Sequence, residues 1–380
     1  MEAFAHVGNV QLGRHSIGMS QASTSATDAP SDDQPFVAHS LGYRLFRSCA
    51  TFVSSVVLSL LGLSLVTFCI GRFIPTDPVL AVVGDHAPRD IYDRTRLAMG
   101  LDKPIPEQFL IYLNKVLHGD LGTSVITSNP VLSDLLHFFP ATIELSTVAT
   151  LIGVTLGVPA GVIAGATRGR WPDHIVRIVG LFGYSMPVFW LGLVGLALFY
   201  GKLGWVAGPG RIDVAFEGIV EPLTGFVLID SALAGEWDTF WSAAQHLVLP
   251  GAILGYLSLA YIARMTRSFM ISQISQEYVT VAQVKGRSYW GAVWRHAFPN
   301  ILVPLITVIG LSYATLLEGA VLTETVFAWP GLGLYITQSL FNADMNAVLG
   351  GTLVVGTMFI AVNLTCDFLY KLVDPRLRGT

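Results

Sequence analysis

The chain has 380 residues, 52% hydrophobic and only 13% charged, with a mean hydropathy of +0.59. Soluble domains carry about 25% charged residues, so an ordinary soluble domain is excluded, and a net charge of −4 with no basic tail leaves no footprint for nucleic acid. Charge is costly in hydrocarbon whereas glycine and proline are tolerated in transmembrane helices, which suits the 38 Gly and 19 Pro.

Residues 1–40 are polar, as in SQASTSATDAPSDDQ, without helical period, and read as a disordered cytoplasmic extension. They are not a secretory signal, because the first apolar stretch starts too late and runs too long. Six runs then lack Asp, Glu, Lys and Arg: Ser48–Gly71, Leu145–Thr167, Ile178–Gly201, Leu247–Ala263, His296–Leu317 and Met345–Cys366. Each is near the roughly 20 residues that cross a bilayer; the fourth is the shortest and the least secure as a full span, and its ends could extend through Gln245 on one side and Arg264 on the other. The expectation is an all-α, polytopic protein with a first transmembrane helix at 41–71 and a periplasmic segment at 72–140. A core of five transmembrane helices at 141–370 and a cytoplasmic tail at 371–380 complete it. The 202–246 loop is acidic, with Glu217, Glu221, Asp230, Glu236 and Asp238, and reads either as a solvated face or as contact with an external partner.

Loop charge sets orientation. With both termini inside, the inner side holds 14 of the 22 Lys and Arg, the other 8 lie outside, and six of those sit in the long 72–140 segment where the bias counts weakly. N-in, C-in follows. The lipid bilayer is then the chain's first partner.

One inner loop is too long for a connector. Arg264–Arg295 holds 32 residues, where helix–helix connections need about 2–8. Ile271, Ile274, Tyr278 and Val281 recur at helical spacing, and after Gly286 so do Trp290, Val293, Trp294 and Ala297. A glycine between two such sets lets short helices meet at an angle. The loop therefore reads as helix–turn–helix with an aromatic stripe. That stripe either packs on the protein's own helices or docks on a cytoplasmic partner, and the residues alone leave both open.

The run EYVTVAQVKGRSYWGAVWRHAFPNILVPLITVIGL resembles the coupling-loop signature of binding-protein-dependent ABC importer permeases. More narrowly it is similar to the B-type subunit of the dipeptide/oligopeptide family. Collinear matches are MGLDKPIPEQFLIYL, HGDLGTS, GVPAGVIAGATRGRWPDHIVR, SMPVFWLGL, GPGRID, ETVFAWPGLG and DPRLRG, so the likeness covers most of 41–380. The resemblance implies a type I ABC importer permease of six transmembrane helices in a bacterial inner membrane. It implies as partners a second homologous permease, two cytoplasmic ATP-binding subunits and a periplasmic solute-binding protein. It places a coupling loop at 264–300, with Glu277, Tyr278, Ala282, Gly286, Arg287, Trp290 and His296 as the ATPase-coupling residues, and Asn300 and Pro304 at the start of the fifth span. Relatives commonly have an apolar residue after the motif glycine, where this chain has Arg287. That charge either pairs with an acid on the ATPase or reaches solvent.

Other groups are weighed singly. Glu144 and Glu324 sit at outer span ends, where each can reach interfacial water and serve structure or gating. Glu318 lies deeper, facing a translocation cavity or another helix. Ser185, Met186 and Pro187 interrupt the third span, as a kink or a substrate contact, and with Glu318 are the candidate pathway residues. Trp329–Gly333 reads as a tight outer re-entry. Cys49, Cys69 and Cys366 lie in or beside apolar runs without CxxC spacing, and no His set has metal-ligand spacing.

No GxxxxGK[ST], GxSxG or HExxH occurs, so the chain is expected to bind no cofactor and to hold no catalytic centre, with ATP used by partner subunits. The expected cargo is a di- or oligopeptide; within the family, metal chelates such as nickel, glutathione and other small solutes are the alternatives. A secondary transporter or channel would need midplane charges, and apart from Glu318 the spans are bare. An intramembrane enzyme lacks any nucleophile–base or metal set.

Overall fold

The structure is a computed structural model and describes residues 41–73, 78–84 and 86–373. The chain divides into two compact units, Met1–Thr51 and Phe52–Thr380. Of the first, only Leu41–Thr51 is described, as the opening turns of helix α1 (Leu41–Phe73). The extension expected over 1–40, and the tail from 374 onward, lie outside the described residues.

The architecture is all-α, and the described residues contain no strand beyond an isolated bridge between Thr123 and Pro130. After α1 come three short helices, α2 (Pro78–Val83), α3 (Arg89–Ala98) and α4 (Ile105–Leu117). Helix α5 (Val131–Ala166) is the first long core helix, followed by α6 (Trp171–Ser185) and α7 (Val188–Gly195), which continues through a π-turn to Lys202. Helix α8 (Val227–Ala234) caps the next loop and α9 (Trp237–Ile274) follows. Then α10 (Glu277–Val284) and α11 (Tyr289–Ala292) lead through a π-turn and a 3-10 turn into α12 (Leu302–Phe327), and α13 (Leu332–Phe341) and α14 (Met345–Val373) close the chain.

Five of these stretches are long and apolar enough to cross a membrane, and α6 with α7 makes a sixth if the bent pair is one span. Packing decides for one span. Gly153, Gly157, Gly161 and Gly165 on α5 lie against Ser258, Leu259, Ala263 and Met270 on α9. The numbers rise together, so α5 and α9 run parallel, and the chain between them must return across the bundle once. Helix α6 begins beside the ends of α5 and α9, where Asp173 meets Arg267. The π-turn after α7 finishes at the other end, next to the loop whose Gly210 N–H donates to Phe327 O at 2.8 Å. The pair therefore makes one crossing, broken by 95° around Ser185–Pro187. Pro187 cannot donate a helical hydrogen bond, so the break falls where the sequence places it.

The fourth span departs from expectation. Instead of the weakest segment it is the centre of the longest α-helix, 38 residues, about 57 Å at 1.5 Å per residue, and 61% of its most apolar window is buried. A charge-free run underestimates a helix whose polar groups find protein partners. His246, 5% exposed, has Nδ1 2.8 Å from Ser242 O, while Arg267 is held by Asp173. The fifth span likewise runs past Leu317, through exposed Glu318, to Phe327, and Glu324 in its last turn is buried inside the protein.

Helix α1 contributes a single buried stripe, Ser64, Thr67 and Phe68, and exposes Val57, Leu58, Leu65 and Val66. It meets α14 in antiparallel fashion, Gly71 against Leu349 and Leu63 against Gly356. At the end of α1, the Phe68 ring packs on Phe109 and Tyr112 of α4, with centroids 5.4 and 5.7 Å apart. The 72–140 segment is thus tied to the bundle by aromatic contacts. Burial raises the Tyr112 hydroxyl pKa above its ordinary value, against a smaller opposing effect of Thr67.

Candidate functional site

Helix α9 stops at Ile274, and α10 ends in a glycine turn. Arg287 N–H donates to Ala282 O at 3.1 Å and Gly286 N–H to Gln283 O at 2.9 Å, with Gly286 at φ +87°. That hydrogen-bond pair with a left-handed glycine is a Schellman motif, which closes one helix and redirects the chain. Ser288 then caps α11, its Oγ accepting from Gly291 N–H at 3.2 Å.

The two faces of this loop are different. Inward, Val279, Ala282, Ala292, Val293, Ala297 and Ile301 join a core with Val158 and Val162 of α5, Ile262 and Met270 of α9, and Leu305 and Val308 of α12. Outward, Tyr278, Val281, Val284, Tyr289, Trp290 and Trp294 are exposed, Val284 at 83%. The sequence stripe thus divides: Val293 and Ala297 are buried in the protein's own core, while Trp290 and Trp294 keep about two-fifths of their surface exposed. Glu277, Lys285, Gly286 and Arg287 stand on the exposed side and His296 is half-buried. Ala282, 7% exposed, seats α10 on the core. Tyr289 hydroxyl donates to Ala166 O, and Tyr278 hydroxyl to Gln273 Oε1 at 2.8 Å. These bonds fasten the loop to the ends of α5 and α9. The result is a rigid platform with an apolar, aromatic outer surface beside two cations, Lys285 and Arg287.

Two family models match the sequence that builds this arrangement. Residues 157–379 match the binding-protein-dependent transport system inner membrane component, and residues 45–146 match the N-terminal part of such membrane components. The chain belongs to this family. It is 44% identical over 322 residues (85% of this chain, 94% of the relative) to the probable D,D-dipeptide transport system permease protein DdpB of Escherichia coli (strain K12). It is also 44% identical over 318 residues (83% and 94%) to the di/tripeptide transport system permease protein DppB of Pseudomonas aeruginosa (strain UCBPP-PA14). With the dipeptide transport system permease protein DppB of E. coli (strain K12) it shares 42% over 327 residues (85% and 96%). Among solved structures, an inward-facing MetNI methionine ABC transporter aligns with TM-score 0.48 at 17% identity, covering 65% of this chain and all of that one. The protein is a multi-pass inner-membrane permease of the ABC importer class.

The remaining pathway candidates of this permease are not gathered in one place. Ser185, exposed, donates from Oγ to Leu181 O at 2.8 Å, and with half-buried Met186 and exposed Pro187 it forms the break between α6 and α7. Glu318 is exposed on α12, next to Gly319 and one turn from Thr315, which both line a cavity that Glu318 itself does not line.

At the end opposite the platform, both outer-end carboxylates are buried rather than wet. Glu144 is 6% exposed and accepts from Arg211 Nε at 3.0 Å and Nη2 at 2.6 Å, and from Leu228 N–H at 3.1 Å. Arg211 also donates to Gly225 O at 2.8 Å and lies 5.9 Å above the Trp329 ring. Glu324 is fully buried; it accepts from Thr142 Oγ1 at 2.6 Å and Leu334 N–H at 3.0 Å, while Leu332 N–H donates to Thr142 Oγ1 at 2.8 Å. Trp329 Nε1–H donates to Ala141 O at 2.9 Å. The Trp329–Gly333 turn is thus a fixed re-entry, leading into the short apolar helix α13. In the acidic loop, Asp230 is not solvated: burial opposes its charge, yet hydrogen bonds from Thr224 Oγ1 and from the Thr224 and Gly225 amides outweigh it and hold its pKa below the ordinary value.

Sequence reasoning missed the glycine ladder of α5, although its spacing of four is a legible small-residue signature. It also missed the Ser258–Ser312 pair, 2.9 Å apart between α9 and α12, for which no local signal exists.

Proposed function

We propose that this permease is the B-type subunit of an ATP-driven importer that moves di- or oligopeptides inward by alternating access. It pairs with a second homologous permease and two cytoplasmic ATP-binding subunits, and receives cargo from a periplasmic solute-binding protein. The chain binds no cofactor, and the partner subunits use the ATP. The observation that carries the reading is the platform: an exposed aromatic face on a loop whose other face is part of the core. An aromatic surface of this kind suits a hot spot for a partner, and displacement of a welded loop moves α9 and α12 with it, as rigid-body switching requires. Glu277, Tyr278, Gly286, Arg287 and Trp290 form the docking surface, Ala282 seats it, and His296 leads into α12. Peptide cargo is supported by the dipeptide and di/tripeptide transport named for three relatives. In this reading the platform faces the cytoplasm and both termini lie inside, in keeping with the Lys and Arg bias of the loops.

The test is uptake of a labelled dipeptide by vesicles holding the complete transporter with its binding protein. Wild type should accumulate peptide with ATP, and Trp290→Ala should lose uptake together with retention of the ATP-binding subunits on purification. Normal subunit retention and uptake in Trp290→Ala would remove the docking assignment, and a wild type that takes up no peptide would remove the cargo.

A further inference from the structure

The turn between α5 and α6 carries an open notch of about 570 Å³. Thr167, Arg168 and Arg170 line it from the turn, Ile271 and Ser275 from the end of α9, and Tyr289 from α11. Its frame is fixed by hydrogen bonds. Gly169 takes a φ of +78°, Arg170 N–H donates to Thr167 O at 2.9 Å, and the Tyr289 hydroxyl donates to Ala166 O. Both arginines are exposed, and among the described residues neither forms an ion pair. Asp173, the acid nearest to them in sequence, does not line the notch. It is buried, accepts from Arg267 Nη2 at 3.0 Å and from Gly169 N–H at 2.9 Å, and Arg267 and Arg177 are the cations that act on it.

The notch sits where the chain turns back into an apolar layer. The charge-free run of α5 ends at Thr167, and α6 starts at Trp171, which is 74% exposed. Ile175, Ile178 and Phe182 are exposed after it, and spacings of four, three and four put all four residues on one helix face. That stripe runs about 16 Å, the depth of one leaflet in a hydrocarbon core about 30 Å thick. Tryptophan gathers at the boundary between membrane and water. Trp171 therefore marks the headgroup layer, and Arg168 and Arg170 precede it directly in the same turn.

We propose that Arg168 and Arg170 bind the phosphate of an anionic phospholipid headgroup, one of whose acyl chains lies along the Trp171–Phe182 stripe. In the proposed orientation this lipid belongs to the cytoplasmic leaflet, and the site is independent of what cargo the permease carries. Two guanidinium forks match the oxygens of a phosphate, and basic pockets between transmembrane helices take anionic headgroups. The volume is that of a small-molecule site. A phosphate held there braces the turn to which Tyr289 is fastened, so the lipid steadies the platform from its membrane side. The rival occupant is an acidic segment of an ATP-binding subunit. The apolar stripe that continues from the notch favours the lipid, because a soluble subunit does not follow a face into hydrocarbon.

The experiment takes the full-length permease with the subunits that accompany it in purification, stripped of lipid in a neutral detergent. It is titrated with mixed micelles of phosphatidylglycerol or of phosphatidylcholine while the thermal midpoint is followed. Phosphatidylglycerol should raise the midpoint by a few degrees, as a ligand of the folded state does, and phosphatidylcholine should not. In Arg168→Gln/Arg170→Gln the phosphatidylglycerol needed for half the effect should rise about 25-fold, at about 1 kcal/mol per cation beside anionic lipid. Arg168→Lys/Arg170→Lys should stay within a few fold of wild type. Lys285→Gln/Arg295→Gln removes the same charge from the platform end outside the notch, and should respond as wild type does. If the double glutamine variant does not fold, Arg168→Gln is read in its place, with an expected weakening of about fivefold. An equal response in wild type and the glutamine variant overturns the proposal, as does an equal weakening in Lys285→Gln/Arg295→Gln. A midpoint raised as much by inorganic phosphate without lipid overturns it in favour of a free anion. Loss of the accompanying subunits from Arg168→Gln/Arg170→Gln with the phosphatidylglycerol response intact overturns it in favour of a protein partner.

Discussion

At Gly286 the backbone alone sets the requirement. Its φ is +87°, and a Cβ built there meets nothing within 4 Å. Substitution therefore creates strain without a clash, of roughly 1–2 kcal/mol for a residue with a Cβ in the left-handed region and more for a β-branched one. Gly286→Val is expected to insert and to keep its partners, while ATP-dependent peptide uptake falls because the turn that angles α10 against α11 is distorted. Gly286→Asn should retain most uptake, since asparagine tolerates that region. Uptake assays on both variants, with partner retention as the control, check this; equal uptake in all three proteins would strike out the turn as the coupling element.

A second residue-scale consequence concerns Arg211 and Glu144, whose side chains are 12% and 6% exposed. Removing one member of such a pair leaves a buried charge, at a cost of about 3–5 kcal/mol. Arg211→Met should lower the thermal midpoint of the purified complex by several degrees. Adding Glu144→Gln should recover part of that loss, because the double variant no longer orphans a carboxylate. A double variant less stable than Arg211→Met would show that the arginine acts through packing on Trp329 instead.

Among the elements, the α5–α9 pair is the closest-packed. A Cβ at Gly161 would stand 2.6 Å from the Ala263 carbonyl oxygen and 2.6 Å from Thr266 Cβ, so the helices would have to separate. Overpacking of this sort costs at least roughly 1–3 kcal/mol, and because both helices carry the platform, function should fall with stability. Gly161→Leu is thus expected to reduce the yield of folded complex, whereas Gly62→Ala on α1, where nothing lies within 4 Å, should be neutral or slightly stabilising. Melting curves of the two variants discriminate; similar midpoints would contradict the tight pairing. Elements differ in how far the sequence betrays them. Pro187 announced the broken third span, and Gly286 the turn, because both are local backbone effects. The fourth span was underrated because its polar residues find partners inside the protein, His246 on its own helix and Arg267 on α6. Contacts such as Thr142 with Glu324 bring together residues 182 apart in sequence, and no periodicity encodes them.

For the whole molecule, charge and packing agree on direction. The platform end gathers Arg168, Arg170, Lys285, Arg287 and Arg295, whereas the end bearing Trp329 carries Glu217, Glu221 and Glu236 on its loops and Asp238 in the first turn of α9. In the proposed orientation, with the more positive end on the cytoplasmic side, the platform lies inside. Helix α14 starts beside Gly122 and Val131 at the Trp329 end and passes Gly310 at Cys366, so it travels toward the platform end. A reporter fused after Thr380 should accordingly be active in the cytoplasm, and one inserted in the exposed 217–223 stretch should be active outside. Six crossings require both results together: an even number returns the chain to its starting side. If the fusion after Thr380 reports an external location while the 217–223 insertion does the same, α14 does not complete its crossing. If the 217–223 insertion reports a cytoplasmic location, the α6–α7 pair turns back without crossing, and the parallel packing of α5 on α9 along the glycine ladder would have no topological explanation.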